Sequence, residues 1–377
     1  MITKLGTVIT EYSVRNKSKE NIPVYSVTNE QGFCTGYFSK EVASKDRTTY
    51  KIVPQGYFAY NPSRINVGSV DWQDCEERVI VSPLYVVFGV DKKLDQQYLL
   101  HYLKSDIART YINALATGSV RDNLKFSVLQ ELPINLRPID EQRKLASVLD
   151  YVDSVIGLRN EELSTLDTLV KSRFVELFGV YPLNPKGWET ATIRDIVTDV
   201  RYGSSRPAVD GGKYPYLRMN NITYGGELDL TDTKRIDIPD NELDKCTVRR
   251  GDVLFNRTNS KELVGKTCVY NRDEMMVLAG FVIRVRVTER ILPEFLSAFL
   301  NTDFSKRMLL GMCKAAIGQA NINAQEMQDI GIYLPPTELQ RQFVQFKEQT
   351  DKSKAAIQKS LNEAQLLFDS LMQQYFG

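Results

Sequence analysis

The chain is short of the residues that most catalytic and metal-binding chemistry needs. Its 377 residues include one histidine, His101, so a histidine-based triad or a His-rich metal cage has almost nothing to be built from. The five cysteines (34, 75, 246, 268 and 313) are odd in number, far apart and without a CxxC pair. Such spacing suits a reducing cytosol and offers neither a disulfide framework nor a zinc site. No apolar run approaches the roughly 18 residues a membrane-spanning helix requires, and the stretch from Met1 to Glu20 lacks the apolar core of a secretory signal. The expected compartment is the cytoplasm, with no membrane partner. Charge of one sign is missing too: 48 Lys and Arg stand against 47 Asp and Glu, a net charge of +1. A nucleic-acid binder of this balance has to segregate its charge. Basic polar runs do occur, at Ser13 to Lys19 and Arg257 to Lys261, though most runs of this kind are only solvated loops.

What the chain has instead is a duplication. The stretch Leu136 to Gly179 recurs as Leu334 to Gly377 at a constant, gapless offset of 198 residues. Pro138 falls on Pro336, Gln142 on Gln340, Arg143 on Arg341, Asp153 on Asp351, Leu163 on Leu361, and Phe178-Gly179 on Phe376-Gly377. A period near 200 residues is too long for a solenoid repeat and fits a domain-plus-helix module present twice. Both copies read as long helices. Each has a proline before its periodic part and acidic residues in its first turn, Asp140-Glu141 and Glu338, where the helix dipole favours negative charge. Gly179 is placed to cap the first. Leu149, Val152, Ile156, Leu163, Leu166, Val170 and Leu177 step by three and four, and Phe343, Phe346, Ile357, Leu361, Ala364, Phe368, Leu371 and Tyr375 do the same around a polar gap at Thr350 to Lys354. A narrow seam of this period wants one partner helix, so the two copies are expected to pair antiparallel. Packing of each helix on its own domain is the plainer alternative. About 39 residues at ~1.5 Å each make a rod of roughly 58 Å.

The sequence therefore divides into a first variable module (1–135), a central helix (136–180), a second variable module (181–333) and a C-terminal helix (334–377). In the first module Thr3 to Ile9 reads as a short helix, Ile22 to Thr28 as a strand, and Gln55 to Tyr60 as a turn entering a strand. Arg78 to Val90 reads as one or two buried strands, Gln96 to Thr110 as an amphipathic helix, and Ala116 to Lys125 as a polar loop. The second module repeats this order with little identity. Leu5 aligns with Ile193, Thr10-Glu11 with Thr198-Asp199, Gly56 and Asn61 with Gly251 and Asn256, and Tyr98-Leu99-Leu100 with Phe295-Leu296-Ser297. A shared apolar framework under different polar decoration is what one scaffold reading two ligands requires. Met1 stands level with Glu189, so the order is close to cyclic and the termini are expected to lie near each other.

No catalytic constellation is present. Ser260 to Thr267 (SKELVGKT) ends like a phosphate-binding loop, but Ser260 stands where the first glycine belongs and Thr267 to Tyr270 reads as a strand, not a helix. No glycine-rich cofactor loop and no Asn-Pro-Pro-aromatic motif of a methyltransferase occurs; Asn61-Pro62-Ser63-Arg64 is not one.

The repeated Leu-x-Pro-x-x-x-Gln-Arg, leading through a long helix to Phe-Gly after each variable module, resembles the specificity subunit of bacterial type I restriction-modification systems. The resemblance covers almost the whole chain and is carried best by Leu334 to Gln340 and Ser370 to Gly377. It implies an α/β protein, pseudo-twofold duplicated: two α/β target recognition domains separated by a pair of long antiparallel helices, a coiled-coil spacer. It also implies a non-catalytic reader of double-stranded DNA. Each domain would take one half of a bipartite asymmetric site, and the helices would set the gap and dock two methyltransferase subunits. Restriction (motor) subunits would complete the endonuclease. S-adenosylmethionine, ATP and magnesium would be bound by those partners and none by this chain. By family position, the contacts fall on the turn after the middle strand and on the closing polar loop. In the first module these are Ser63, Arg64, Thr117, Ser119, Arg121 and Asn123. In the second they are Ser205, Arg206, Arg218, Asn220, Arg257, Asn259, Lys261, Lys314, Gln319 and Asn321. Two rivals stay open from the sequence: a P-loop nucleotide-binding enzyme using Lys266, and a coiled-coil scaffold whose globular ends bind protein.

Overall fold

The seam residues of the two repeats fold as two 40-residue helices, Ile139–Phe178 and Thr337–Phe376, in a computed structural model that describes residues 1–18, 20–36, 47–116, 123–316 and 319–377. The chain forms two compact units. The first comprises Met1–Glu161 with Gln358–Gly377, and the second Glu162–Ile357. Each long helix thus starts in one unit and ends in the other. Every seam position of the first helix is buried or half-buried, and most of the positions flanking it are exposed, as the three-four periodicity requires.

In the second unit the helix segments run antiparallel. Asp167 meets Lys354 at 2.8 Å, Arg173 lies 5.8 Å from the Phe346 ring centre, and Phe174 packs edge-on against Phe343 at 5.3 Å. Numbers rise on one helix as they fall on the other. The polar gap of the second helix is not a break in packing. Lys354 occupies a seam slot and is paired with Asp167 and Glu227, and Thr350 is buried with its hydroxyl on the Phe346 carbonyl. Gly179 ends the first helix at φ +83°, a conformation glycine adopts freely, and its N–H donates to the Val175 carbonyl.

Each unit ties a long helix to the start of a short one by the same device. Gln142 and Gln340 are fully buried. The Gln142 side chain accepts from the Asp95 N–H and donates to the carbonyls of Lys93 and Arg137. That of Gln340 accepts from the Leu292 N–H and donates to the carbonyls of Arg290 and Pro335. Asp95 and Leu292 are the N-cap residues of matching helices, Gln96–Lys104 and Pro293–Leu300. A repeated polar residue in an apolar repeat is explained: it satisfies backbone groups at a helix start that burial would otherwise leave unpaired.

In the first unit a four-stranded antiparallel sheet has the order Ile9–Glu11, Val86–Val90, Phe58–Tyr60, Val70–Trp72. In the second the counterpart order is Val197–Tyr202, Val282–Val287, Val253–Asn256, Thr267–Val269. Gly56 and Gly251 turn into the same strand with φ of +81° and +90°, so the aligned glycines hold a left-handed position that a side chain would strain. A second four-stranded sheet (Lys234–Ile236, Tyr214–Leu217, Met276–Leu278, Thr247–Val248) occurs in the second unit. The aromatic core of that unit gathers Phe174, Phe178, Phe295, Phe299, Tyr333 and Phe343. In the first unit Phe376 packs on Tyr98 at 5.1 Å, the Tyr98 hydroxyl donates to the Asn135 carbonyl, and the Met1 ammonium donates to the Asn135 side chain. Met1 and Phe376 are thus linked through Asn135 and Tyr98.

Three local expectations need correction. Thr3 to Ile9 is not a helix. Ile2–Lys4 pairs with Pro133–Asn135, a single 3-10 turn follows at Leu5–Thr7, and Ile9 opens the next strand. The long-range pairing, absent from local sequence, overrides the periodic pattern. Gln96 to Thr110 is two helices, Gln96–Lys104 and Asp106–Ala116, broken where Ser105 is extended and its hydroxyl caps the Ala108 N–H. The alignment of Thr10-Glu11 with Thr198-Asp199 is off by one. Glu11 lies opposite Phe88 and Val200 opposite Val285, the matching position, because the second unit has a bulge between Val197 and Asp199.

Candidate nucleic-acid interface

The turn after the middle strand and the closing loop are brought together in both units by the same hydrogen bond. In the first unit the Leu124 N–H donates to the Pro62 carbonyl at 2.9 Å, and the Tyr60 hydroxyl reaches the Leu124 carbonyl. Ser63 and Arg64 are exposed on that turn, where the Asn61 side chain accepts from the Ser63 N–H and hydroxyl, and exposed Asn123 lies one residue from the joint. Thr117, Ser119 and Arg121 lie outside the described residues. In the second unit the equivalent bond runs from the Ile322 N–H to the Arg257 carbonyl, also 2.9 Å. Here the joint is extended by strands. Thr258–Asn259 pairs with Gln319–Asn321, which pairs with Lys314–Ala316. Asn259 and Asn321 thus lie on adjacent strands of one small sheet with Arg257 at its start, and exposed Lys261 is just beyond. Of Lys314 and Gln319 only the backbone is described.

The remaining expected residues sit elsewhere in the second unit and are already engaged. Arg206 makes a two-pronged contact with Glu242, at 3.2 and 2.7 Å, which holds the Glu242 carboxyl below its usual range. Arg218 donates from Nη2 to both the carbonyl and the carboxylate of Asp232, each at 2.9 Å. Ser205 and Asn220 are exposed neighbours of these pairs. The loop carrying Ser205 is nonetheless tied towards Arg257. The Gly280 N–H donates to the Ser204 carbonyl, and the Arg257 N–H to the carbonyl of Phe281.

Two features escaped the sequence. Tyr202, at the end of the first sheet strand, lies with its ring 4.8 Å from the Arg257 guanidinium carbon. Its counterpart in the first unit is Ser13, a match that the bulge at Val197 conceals from the sequence. Arg284, in the strand Val282–Val287, is 1 % exposed. Its charge is met by Asp199 at 2.7 Å, beside the Arg286–Asp252 pair. Burial raises the Asp199 carboxyl, but hydrogen bonds from Arg284 and Arg201 outweigh it and the net shift is downward.

The phosphate-loop resemblance does not survive. Lys266 is buried, its ammonium donates to the Met219 carbonyl at 2.9 Å, and burial pulls its pKa down. The chain then enters the strand Thr267–Val269, so no helix N-terminus is available to a phosphate. Among the described residues no group of three or more His, Cys, Asp or Glu could hold a metal, and no helix is long and apolar enough to cross a membrane.

A family model, the type I restriction modification DNA specificity domain, matches residues 4–168 and again 185–365. Similar proteins include the type I restriction enzyme EcoKI specificity subunit of Escherichia coli K12, 25% identical over 303 residues. That match takes in 76% of this chain and 65% of the relative. The StySPI specificity subunit of Salmonella potsdam is 22% identical over 299 residues, 75% of this chain and 64% of the relative. The chain thus spans just under two thirds of the length of either. The fold matches the crystal structure of a type I restriction-modification system S subunit from M. genitalium, with a TM-score of 0.58 at 15% identity. That likeness covers 100% of this chain and 96% of the other.

Proposed function

Since the chain belongs to the family of type I restriction modification DNA specificity domains, we propose that it is the non-catalytic, sequence-reading subunit of a cytoplasmic DNA adenine methylation and restriction complex. Each unit reads one half of a bipartite site in double-stranded DNA. One observation carries the reading: the two units share a joint, Pro62–Leu124 and Arg257–Ile322, but present different polar side chains at it. One scaffold with two faces is what an asymmetric, two-part target requires. The net charge of +1 leaves few phosphates for the chain alone to neutralise, so tight binding needs partner subunits. Two methyltransferase subunits dock on the long helices, where Tyr151, Leu158 and Leu366 are 71%, 59% and 70% exposed. Restriction subunits join that complex. S-adenosylmethionine, ATP and magnesium belong to the partners.

The test is a map of methylated adenines in the host with and without the gene. A bipartite methylated motif should vanish on deletion and return with the gene. Persistence of every motif after deletion, in a host with the partner genes active, refutes the proposal.

A further inference from the structure

We infer that Tyr202 is a positioning residue for Arg257 and that Arg257, so held, reads a guanine in the half-site of the second unit. The inference rests on the function proposed above and names the base that one of its residues recognises. Three arginines of this unit were expected at DNA, and two are committed. Arg206 is matched edge-on by Glu242, and Arg218 is held by Asp232. Arg257 has no carboxylate partner among the described residues. Its Nε is buried with no hydrogen-bond partner, and neither Nη1 nor Nη2 donates to a described residue.

Its orientation is nevertheless fixed. The main chain is pinned on both sides, by the N–H donating to Phe281 and by the carbonyl accepting from Ile322. The guanidinium lies 4.8 Å from the centre of the Tyr202 ring, and the Tyr202 hydroxyl accepts from the Ala324 N–H at 2.8 Å. The ring is thus tethered at its far end as well as at its strand. An aromatic face under a guanidinium attracts it and restricts its tumbling. With Nε turned inward, Nη1 and Nη2 remain as two parallel donors. That pair matches the O6 and N7 acceptors of guanine in the major groove, a pattern no other base presents there. A phosphate would accept the same donors without distinguishing sequence. The buried Nε and the tethered ring restrict the fork to one direction, which favours the base. In the first unit the matching positions are Ser13 and Pro62, so its half-site lacks this mode of reading.

The experiment expresses the full chain with the methyltransferase subunits of its source organism, in a host free of other adenine methylation, and reads the methylated motif by single-molecule sequencing. The wild type is mapped first. Arg257→Ala, Arg257→Lys and Tyr202→Leu are each expected to relax discrimination about 10- to 100-fold at one and the same G·C position. Every other position, including the whole half-site of the first unit, should stay as in the wild type. That retained half reports a folded chain, and Tyr202→Met replaces the leucine variant should it not fold. Tyr202→Phe keeps the ring but loses its tether to the Ala324 N–H, so its discrimination should fall between those of the wild type and Tyr202→Leu. The Tyr202→Leu, Arg257→Ala double variant should be no more relaxed than Arg257→Ala, because the tyrosine acts through the arginine. Full discrimination in Tyr202→Leu overturns the inference while leaving the proposed function standing. So does an equal loss at all sequences in Arg257→Ala, which makes Arg257 a phosphate contact, or relaxation at an A·T position. Absence of any wild-type motif defeats the proposed function itself.

Discussion

Replacing Gln340 by alanine removes three hydrogen bonds from a fully buried site and leaves the Leu292 N–H and the carbonyls of Arg290 and Pro335 without their partners. A typical net bond contributes about 1 kcal/mol, and a buried polar group left unpaired costs about 1–3 kcal/mol. The expected destabilisation of the second unit is about 3–5 kcal/mol. For a unit of this size each kcal/mol lowers Tm by about 2–4 °C, so the fall should be roughly 6–20 °C. The sequence provides a reporter, since one of its two tryptophans lies in each unit, Trp72 in the first and Trp188 in the second. In a Trp72→Phe background, fluorescence follows Trp188, whose indole N–H is bonded to the Phe178 carbonyl in the same core. Gln340→Glu offers a second handle. Its ionised carboxylate still accepts from Leu292 but faces two carbonyls, so it should be as damaging as alanine at neutral pH and partly recover in acid, where it can donate. A loss below about 1 kcal/mol in Gln340→Ala, read from urea unfolding, would refute the account of why this residue is repeated.

Two further outcomes follow from the same structure. Burial lowers the Lys306 ammonium to about 8 from its ordinary 10.5, so between those pH values the unfolded chain binds more protons and stability should rise with pH; Lys306→Met should remove that rise, measured as Tm across the window. Inserting one heptad after Glu161 and another after Ile357, where each helix passes from one unit to the other, keeps the seam in phase and adds ~10.5 Å, roughly three base pairs of rise. Methylation mapping should then show a longer gap or a large loss of activity, and a wild-type gap at the wild-type rate would show that the helices do not set the spacing.

The long helices were legible because period and duplication agreed: Pro138 and Gly179 bracket Ile139–Phe178, and each seam position is at least half-buried. The matching strands were legible from order and from the glycines at 56 and 251. What failed was decided by contacts distant in sequence. Ile2 to Lys4 takes its shape from residues 133–135, and nothing near the N-terminus announces that. The bulge at Val197 shifts the register by one and hides Ser13 as the counterpart of Tyr202. The burial of Arg284 was not legible because the half-buried carboxylate that meets its charge, Asp199, lies 85 residues away. At the interface the sequence could offer polar residues on turns, but it could not separate Arg206 and Arg218, which are bound to carboxylates, from Arg257, which meets none among the described residues.

The central claim is that the two units are separate readers on one frame. The most direct measurement exchanges residues 181–333 for the corresponding module of another family member and maps the methylated motif in a host with the partner subunits. One half of the motif should change to that of the donor, and the half read through residues 1–135 should remain as it was. A motif altered in both halves, or in neither while methylation continues, would contradict the claim.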